Sequence, residues 1–216
     1  MTTALTPRQL FDTLFIALED WYPDTNELIR SMTEDERLGI DKLFDSIMKN
    51  DQSGRPREDI RANVQDGKLA EYAIARRLRS LGYPVDQNDE TVNKESWWDL
   101  RVWIYDIGYK LEVKTQKERS ESIRFVQTGK DAPIFTSHWD RVHALIVLLP
   151  CGEMRPEGMG GGKNFGLWGV FDPSIVSGYG PYAKPLTSRK GVQIMLDQVP
   201  PHLKRVTKCP AQGVRG

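Results

Sequence analysis

The chain has 216 residues, 39% of them hydrophobic and 28% charged, with 30 basic and 30 acidic side chains that cancel. This composition fits one globular domain with a buried core and excludes collagen-like and wholly disordered chains. The zero balance also argues against a histone-like protein that holds nucleic acid by bulk charge.

The first sixty residues predict helices. Thr6-Pro7 is a start signal, and Leu10, Leu14, Ala17, Leu18 and Trp21 recur at helical spacing until Pro23. Thr33 and Glu36 have capping-box spacing ahead of Leu38, Leu43, Phe44 and Ile47. The stretch Asn50 to Pro56 is polar and turn-rich and predicts a linker. An α-helical N-terminal extension over residues 1–55 is therefore expected, followed by a core over 56–199 and a loose tail over 200–216. Asp66-Gly67 can cap a helix that runs to about Leu81 and closes at Gly82. A hairpin follows, with strands from about Trp97 to Tyr105 and from about Tyr109 to Thr115 around Asp106-Ile107-Gly108. Val142 to Leu149 is apolar on both faces and predicts a central strand. Gly158 to Gly162 is a glycine-rich loop, and Leu167 to Phe171 a further strand. Helix, hairpin, then more strands and helices predict an α/β protein with a mixed sheet.

No apolar run reaches the ~18–20 residues of a membrane helix. The start Met1-Thr2-Thr3-Ala4-Leu5 has no basic flank before an apolar stretch, so no signal peptide is expected. Cys151 and Cys209 make no disulfide framework, which points to the reducing cytoplasm.

Chemistry concentrates in the helix and the hairpin. Glu71 shares a face with Ile74, Ala75, Leu78 and Leu81, where a carboxylate is unfavourable without a cationic or hydrogen-bonding partner. Taken alone, Glu71 is more readily read as a structural carboxylate at the rim. The opposite stripe of Lys68, Tyr72, Arg76 and Arg79 reads as solvated; Arg76, Arg77 and Arg79 are equally weighted as phosphate contacts or solvated charges. Along the second strand Tyr109, Leu111 and Val113 face one side, and Lys110, Glu112, Lys114 and Gln116 the other. Along the first, Trp98, Leu100, Val102 and Ile104 face the core, while Asp99, Arg101, Trp103 and Tyr105 face away. A two-residue turn at Asp106-Ile107 would set Asp99 opposite Lys114 and diagonal to Glu112. An amphipathic hairpin with ion pairs on one wet side explains such a charged face but not its place on an interior strand.

The spacing Asp99-x12-Glu112-Val113-Lys114, with Glu71 upstream on a helix, resembles the PD-(D/E)XK nuclease superfamily over about residues 66–171. Trp98 stands where the name-giving proline would be, a position often altered in relatives. The resemblance implies a restriction-endonuclease-like core, a central mixed β-sheet flanked by helices, and a Mg²⁺-dependent DNA endonuclease of restriction or phage type. It implies Asp99, Glu112 and the Val113 carbonyl as ligands of Mg²⁺, with Mn²⁺ as a substitute. Glu71 would orient a metal-bound water or hold a second ion. Lys114 would position the attacking water or stabilise the pentavalent phosphate.

Residues 1–60 carry 13 acids and 7 bases, residues 61–130 carry 11 and 13, and residues 131–216 carry 6 and 10, so DNA would meet the later two-thirds. Gln116, Lys117, Arg119, Arg124 and Lys130 follow the ExK strand and, by the resemblance, lie along the DNA path; His138 and Arg141 are candidates for base contacts. Gly158 to Lys163 departs from a phosphate-loop pattern at Glu157 and Asn164. His138, His143 and Cys151 lack zinc spacing. The competing functions are a junction resolvase or repair nuclease, a non-cleaving DNA-binding module of the same fold, and a protein–protein adaptor using the acidic helices. A homodimer is expected only from the need to cut two strands.

Overall fold

The Thr6 hydroxyl accepts a hydrogen bond from the Gln9 N–H, and the Gln9 side chain accepts one from the Thr6 N–H, so a capping box opens α1 (Pro7–Leu18). The computed structural model describes residues 3–50, 54–88, 98–116, 122–126, 142–154, 162–176, 181–185 and 191–207. Asp24 caps a short helix α2 (Thr25–Arg30), which the hydrophobic spacing does not announce. The predicted reciprocal bonds between Thr33 and Glu36 open α3 (Glu34–Asn50).

Helix α4 (Arg57–Ser80) begins nine residues earlier than the Asp66-Gly67 signal suggested. Ile60 extends its buried stripe, and Arg57 and Arg61 lie over the Phe44 ring at 5.1 Å, tying the first turns to α3. Gly67 inside a helix costs only about 1 kcal/mol, less than this packing returns. Gly82, at φ +90°, ends the run as expected.

Strands β1 (Val85–Gln87), β2 (Leu100–Ile104) and β3 (Ile107–Thr115) pair antiparallel in that order. The hairpin turn is Tyr105-Asp106, both at positive φ, rather than Asp106-Ile107. A β-branched Ile107 is poorly suited to positive φ, and Gly108 takes a place within β3 beside Arg101 and Trp103. The pairing Leu100–Leu111 sets Asp99 across from Glu112, not Lys114. Because the slip is two residues, every side chain keeps its predicted face.

Strand β5 (Ala144–Met154) runs parallel to β3 and antiparallel to β6 (Gly162–Phe171), and β9 (Lys204–Val206) closes the far edge. The six-stranded sheet has the order β1-β2-β3-β5-β6-β9, so the mixed α/β class and the central β5 agree with expectation. Residues 201–207 are not a loose tail. Arg205 donates to Asp12 of α1 at 2.5 Å, a bond that lowers the Asp12 pKa, and Thr207 donates to the Leu167 carbonyl at 2.6 Å. Gly169 on β6 is required here, since a Cβ would lie 2.5 Å from the Arg205 carbonyl.

One sheet face packs on the helices. Leu111, Val113, Ala144, Ile146 and Leu148 meet Leu10, Leu14 and Leu18 of α1 and Leu69, Ile74 and Leu78 of α4 in one core. Helices α1 and α2, through Leu28, thus share the core of the sheet, while α3 packs on α4. The other face meets a second, three-stranded sheet, ordered β4 (Ser122–Val126), β8 (Gly191–Met195), β7 (Ala183–Pro185). Leu145, Val147, Leu149, Trp168 and Phe171 bury against Ile123, Val192 and Ile194 there. Among the described residues no helix is long and apolar enough to cross a membrane.

Candidate active site

Glu71 lies midway along α4, 7% exposed, on the same buried stripe as Ile74, Ala75 and Leu78; Leu81, expected to share that face, is exposed. It is paired with Lys68, one helical turn earlier, whose Nζ lies 2.8 Å from Glu71 Oε2. Lys68 is 8% exposed, which corrects its expected place on a solvated stripe. The arginines weighed as phosphate contacts are also engaged. Arg76 donates to Ser31 and Glu36, Arg77 to the Ala17 carbonyl, and Arg79 to Val85 and Gln87. They fasten α4 to α1, α2, α3 and β1.

Asp99 stands where β2 departs from β3. The ladder between them ends at Leu100–Leu111, with one more bond from the Asp99 N–H to the Leu111 carbonyl at 3.0 Å. Beyond that point the Asp99 carboxylate replaces the missing strand. Its Oδ2 accepts the Val113 N–H at 2.7 Å, and the residue is only 7% exposed. The N–H and C=O of one strand residue point to the same edge, so the Val113 carbonyl also points into the gap left by β2.

Glu112 and Lys114 pair in register with Leu145 and Val147, and all four belong to the sheet face opposite the helices. The Lys114 ammonium forms an ion pair with Glu112 Oε1, while 40% of the lysine side chain remains exposed. Partial burial acts to lower the Lys114 pKa, but the carboxylates of Glu112, Asp99 and Glu71 outweigh it and hold the group above the usual lysine value. The ammonium of β3 is therefore paired with Glu112 on its own strand, and the charges of Asp99 and Glu71 act on it in the same direction.

Gln116 also follows the polar side. Its Nε2 donates to the Ser122 carbonyl at 3.1 Å, and Gln193 of β8 donates to the Ser122 hydroxyl at 2.7 Å. These bonds join the end of β3 to the second sheet. Neither Ser122 nor Gln193 was a candidate from the sequence, because nothing local reveals that β4 pairs with β8.

The structure thus pairs Lys114 with Glu112 and ties Asp99 to the Val113 N–H between them; Glu71 is paired with Lys68 and favours the charged form of Lys114 through its own charge. Arg124 lies on β4 opposite Gln193, and its side chain is outside the description. Lys117, Arg119, Lys130, His138 and Arg141, and the glycine-rich run before Gly162, lie outside the described residues. Among the described residues, no three His, Cys, Asp or Glu side chains stand close enough together to hold a metal ion by themselves. His143 is instead structural: burial and Lys110 lower its pKa, and its Nδ1 accepts the Lys110 N–H at 3.0 Å. No protein-family model, curated protein or solved structure matches the chain.

Proposed function

We propose that the chain is a Mg²⁺-dependent DNA endonuclease with a restriction-endonuclease-like core, in which Glu71, Asp99, Glu112 and Lys114 form the active site. What supports this is that Lys114 and Glu112 form an ion pair on β3, and that the Asp99 carboxylate at the start of β2 binds the N–H of Val113, the residue between them, at 2.7 Å.

The donor set suits a hard cation. Asp99 Oδ2 accepts the Val113 N–H, which orients the carboxylate toward the same gap as the Val113 carbonyl. Asp99, Glu112 and that carbonyl would hold the ion. Mg²⁺ commonly takes one or two carboxylates and completes its shell with water and substrate phosphate, so a third carboxylate is not required. When bound, the ion supplies Lewis acidity toward the scissile phosphate.

The side chains of this chain do the rest. Lys114, protonated and aligned by Glu112, donates toward the phosphate oxygens as charge develops on them. Glu71 orients the attacking water. Asp99 holds Val113, and with it the geometry of β3, through the 2.7 Å bond. Gln116 and Ser122 anchor the C-terminal end of that strand.

Supercoiled plasmid incubated with the protein in Mg²⁺ is expected to be nicked or cut, and EDTA to stop it. Discrete fragments would identify a sequence-specific enzyme, a smear a non-specific one. Activity confined to branched DNA would identify a junction resolvase. Salt-sensitive DNA binding with intact plasmid and intact branched DNA in Mg²⁺ would refute the nuclease and favour the non-cleaving module.

A further inference from the structure

Arg101 is the cation of the hairpin that the proposed mechanism leaves unused. It stands on β2 directly opposite Lys110 of β3. Leu100, Val102 and Leu111 lie in the core beneath the helices, so alternation puts Arg101, Lys110 and Glu112 on the other sheet face. Asp99 and Arg101 are two residues apart, as are Glu112 and Lys110. The basic pair therefore lies one step along the strands, about 7 Å, from the acidic pair. Successive phosphates of an extended polynucleotide are spaced at a comparable interval.

Packing holds the Arg101 side chain in place. Its guanidinium lies over the Trp98 ring at 4.7 Å and over the Trp103 ring at 5.7 Å, a contact of charge with ring faces. Gly108 stands opposite Trp103, and a Cβ there would come 3.0 Å from Arg101 Cδ and 3.3 Å from Trp103 Cζ3. The glycine thus leaves the room in which both side chains lie across β3. Asp86 flanks Arg101 from β1, but its Oδ2 accepts the Trp103 Nε1–H at 2.9 Å and stays 4.0 Å from the guanidinium. Among the described residues the guanidinium donates no hydrogen bond, and 32% of the side chain is exposed. A planar fork of donors, fixed by ring faces and not spent on a carboxylate, suits a phosphate.

We propose that Arg101, with Lys110 beside it, binds the DNA phosphate next to the scissile one. The proposal rests on the nuclease reading above and deepens it. Asp99 and Glu112 hold the ion at the scissile linkage, and the basic pair fixes where the strand runs as it leaves that ion.

The test is the salt dependence of DNA binding by the full chain in EDTA. Fluorescence anisotropy of a labelled mixed-sequence duplex follows it between about 50 and 200 mM salt. Each phosphate contact adds about 0.9 to the slope of log affinity against log salt. Arg101→Gln and Lys110→Gln are each expected to bind more weakly and to lower that slope by about one, and the double variant by about two. Arg8→Gln, on the helix side of the sheet, should keep the wild-type slope. In Mg²⁺, kcat/KM for plasmid cleavage should fall at least about ten-fold in Arg101→Gln, the loss typical of a hydrogen bond to a charged group. Circular dichroism establishes that each variant is folded; if Arg101→Gln is not, Arg101→Met takes its place with the same outcomes required. A wild-type slope in Arg101→Gln, an equal drop in Arg8→Gln, or no DNA binding by wild type would overturn the proposal. A lowered slope with unchanged cleavage would place the contact away from the scissile linkage and overturn it too, while leaving the nuclease standing. The expected slopes with plasmid left intact by wild type would instead refute the nuclease, and with it any scissile neighbour.

Discussion

Replacing Lys114 by alanine is expected to slow Mg²⁺-dependent DNA cleavage by at least about 10²-fold, since loss of one donor to developing charge typically has an effect of 10²–10³. DNA binding should be little changed, because phosphate contacts over a whole binding surface set affinity. The substitution also removes the ammonium that pairs with Glu112. In EDTA the variant should therefore melt below wild type at neutral pH. The sign follows from the raised Lys114 pKa. The ammonium's contribution is complete below the unfolded lysine value of about 10.4 and fades as pH climbs through the higher folded value. The melting difference should accordingly narrow only in strongly alkaline solution. Wild-type turnover by Lys114→Ala would contradict the assigned role.

The second large effect concerns the layer behind the site. Trp168 is 1% exposed and packs with Leu145, Val147, Ile175 and Ile194 between the two sheets. Trp168→Ala is expected to lower unfolding free energy by about 3–5 kcal/mol, from lost burial and an unfilled cavity. Urea unfolding followed by far-ultraviolet circular dichroism measures it. Because β4 and β8 rest on this layer and reach β3 through Ser122 and Gln116, cleavage per folded molecule should also fall. A loss below about 0.5 kcal/mol, the range of ordinary surface changes, would show that the second sheet does not depend on Trp168.

Local chemistry made much of the fold legible. The Thr6 and Thr33 capping boxes need only three residues of separation, and both formed as their spacing predicted. Alternation along residues 100–104 and 109–115 assigned the faces of both strands, because period two survives a register slip of two. The turn itself was misplaced. Gly108 invites a turn, whereas the residues that bend, Tyr105 and Asp106, lack the Asn-Gly signature usual for paired positive φ values. Asp66-Gly67 similarly masked the continuation of α4, since a stop-like dipeptide is overridden by packing on Phe44.

Tertiary pairing accounts for what stayed hidden. Strand β7 has three residues, and β4 meets β8 through pairs such as Ser122–Met195, which no periodicity connects. Lys204 to Val206 read as a basic tail until β6 supplied an edge for it. At the site, Glu71 on an apolar face, Asp99 and the Glu112–Lys114 pair were visible as types and spacings. Lys68 was visible too, three residues before Glu71, but helical geometry alone does not say that the flank carrying it is buried.

The central claim is that Asp99 and Glu112 share a divalent cation with Lys114 beside it. Anomalous scattering from a crystal of the full chain soaked in Mn²⁺ tests this most directly. A peak within about 2–2.5 Å of oxygens from both carboxylates, the range for hard divalent cations, with Lys114 alongside, is the predicted result. Mn²⁺ bound only elsewhere on the molecule, with Asp99 and Glu112 bare, would contradict it.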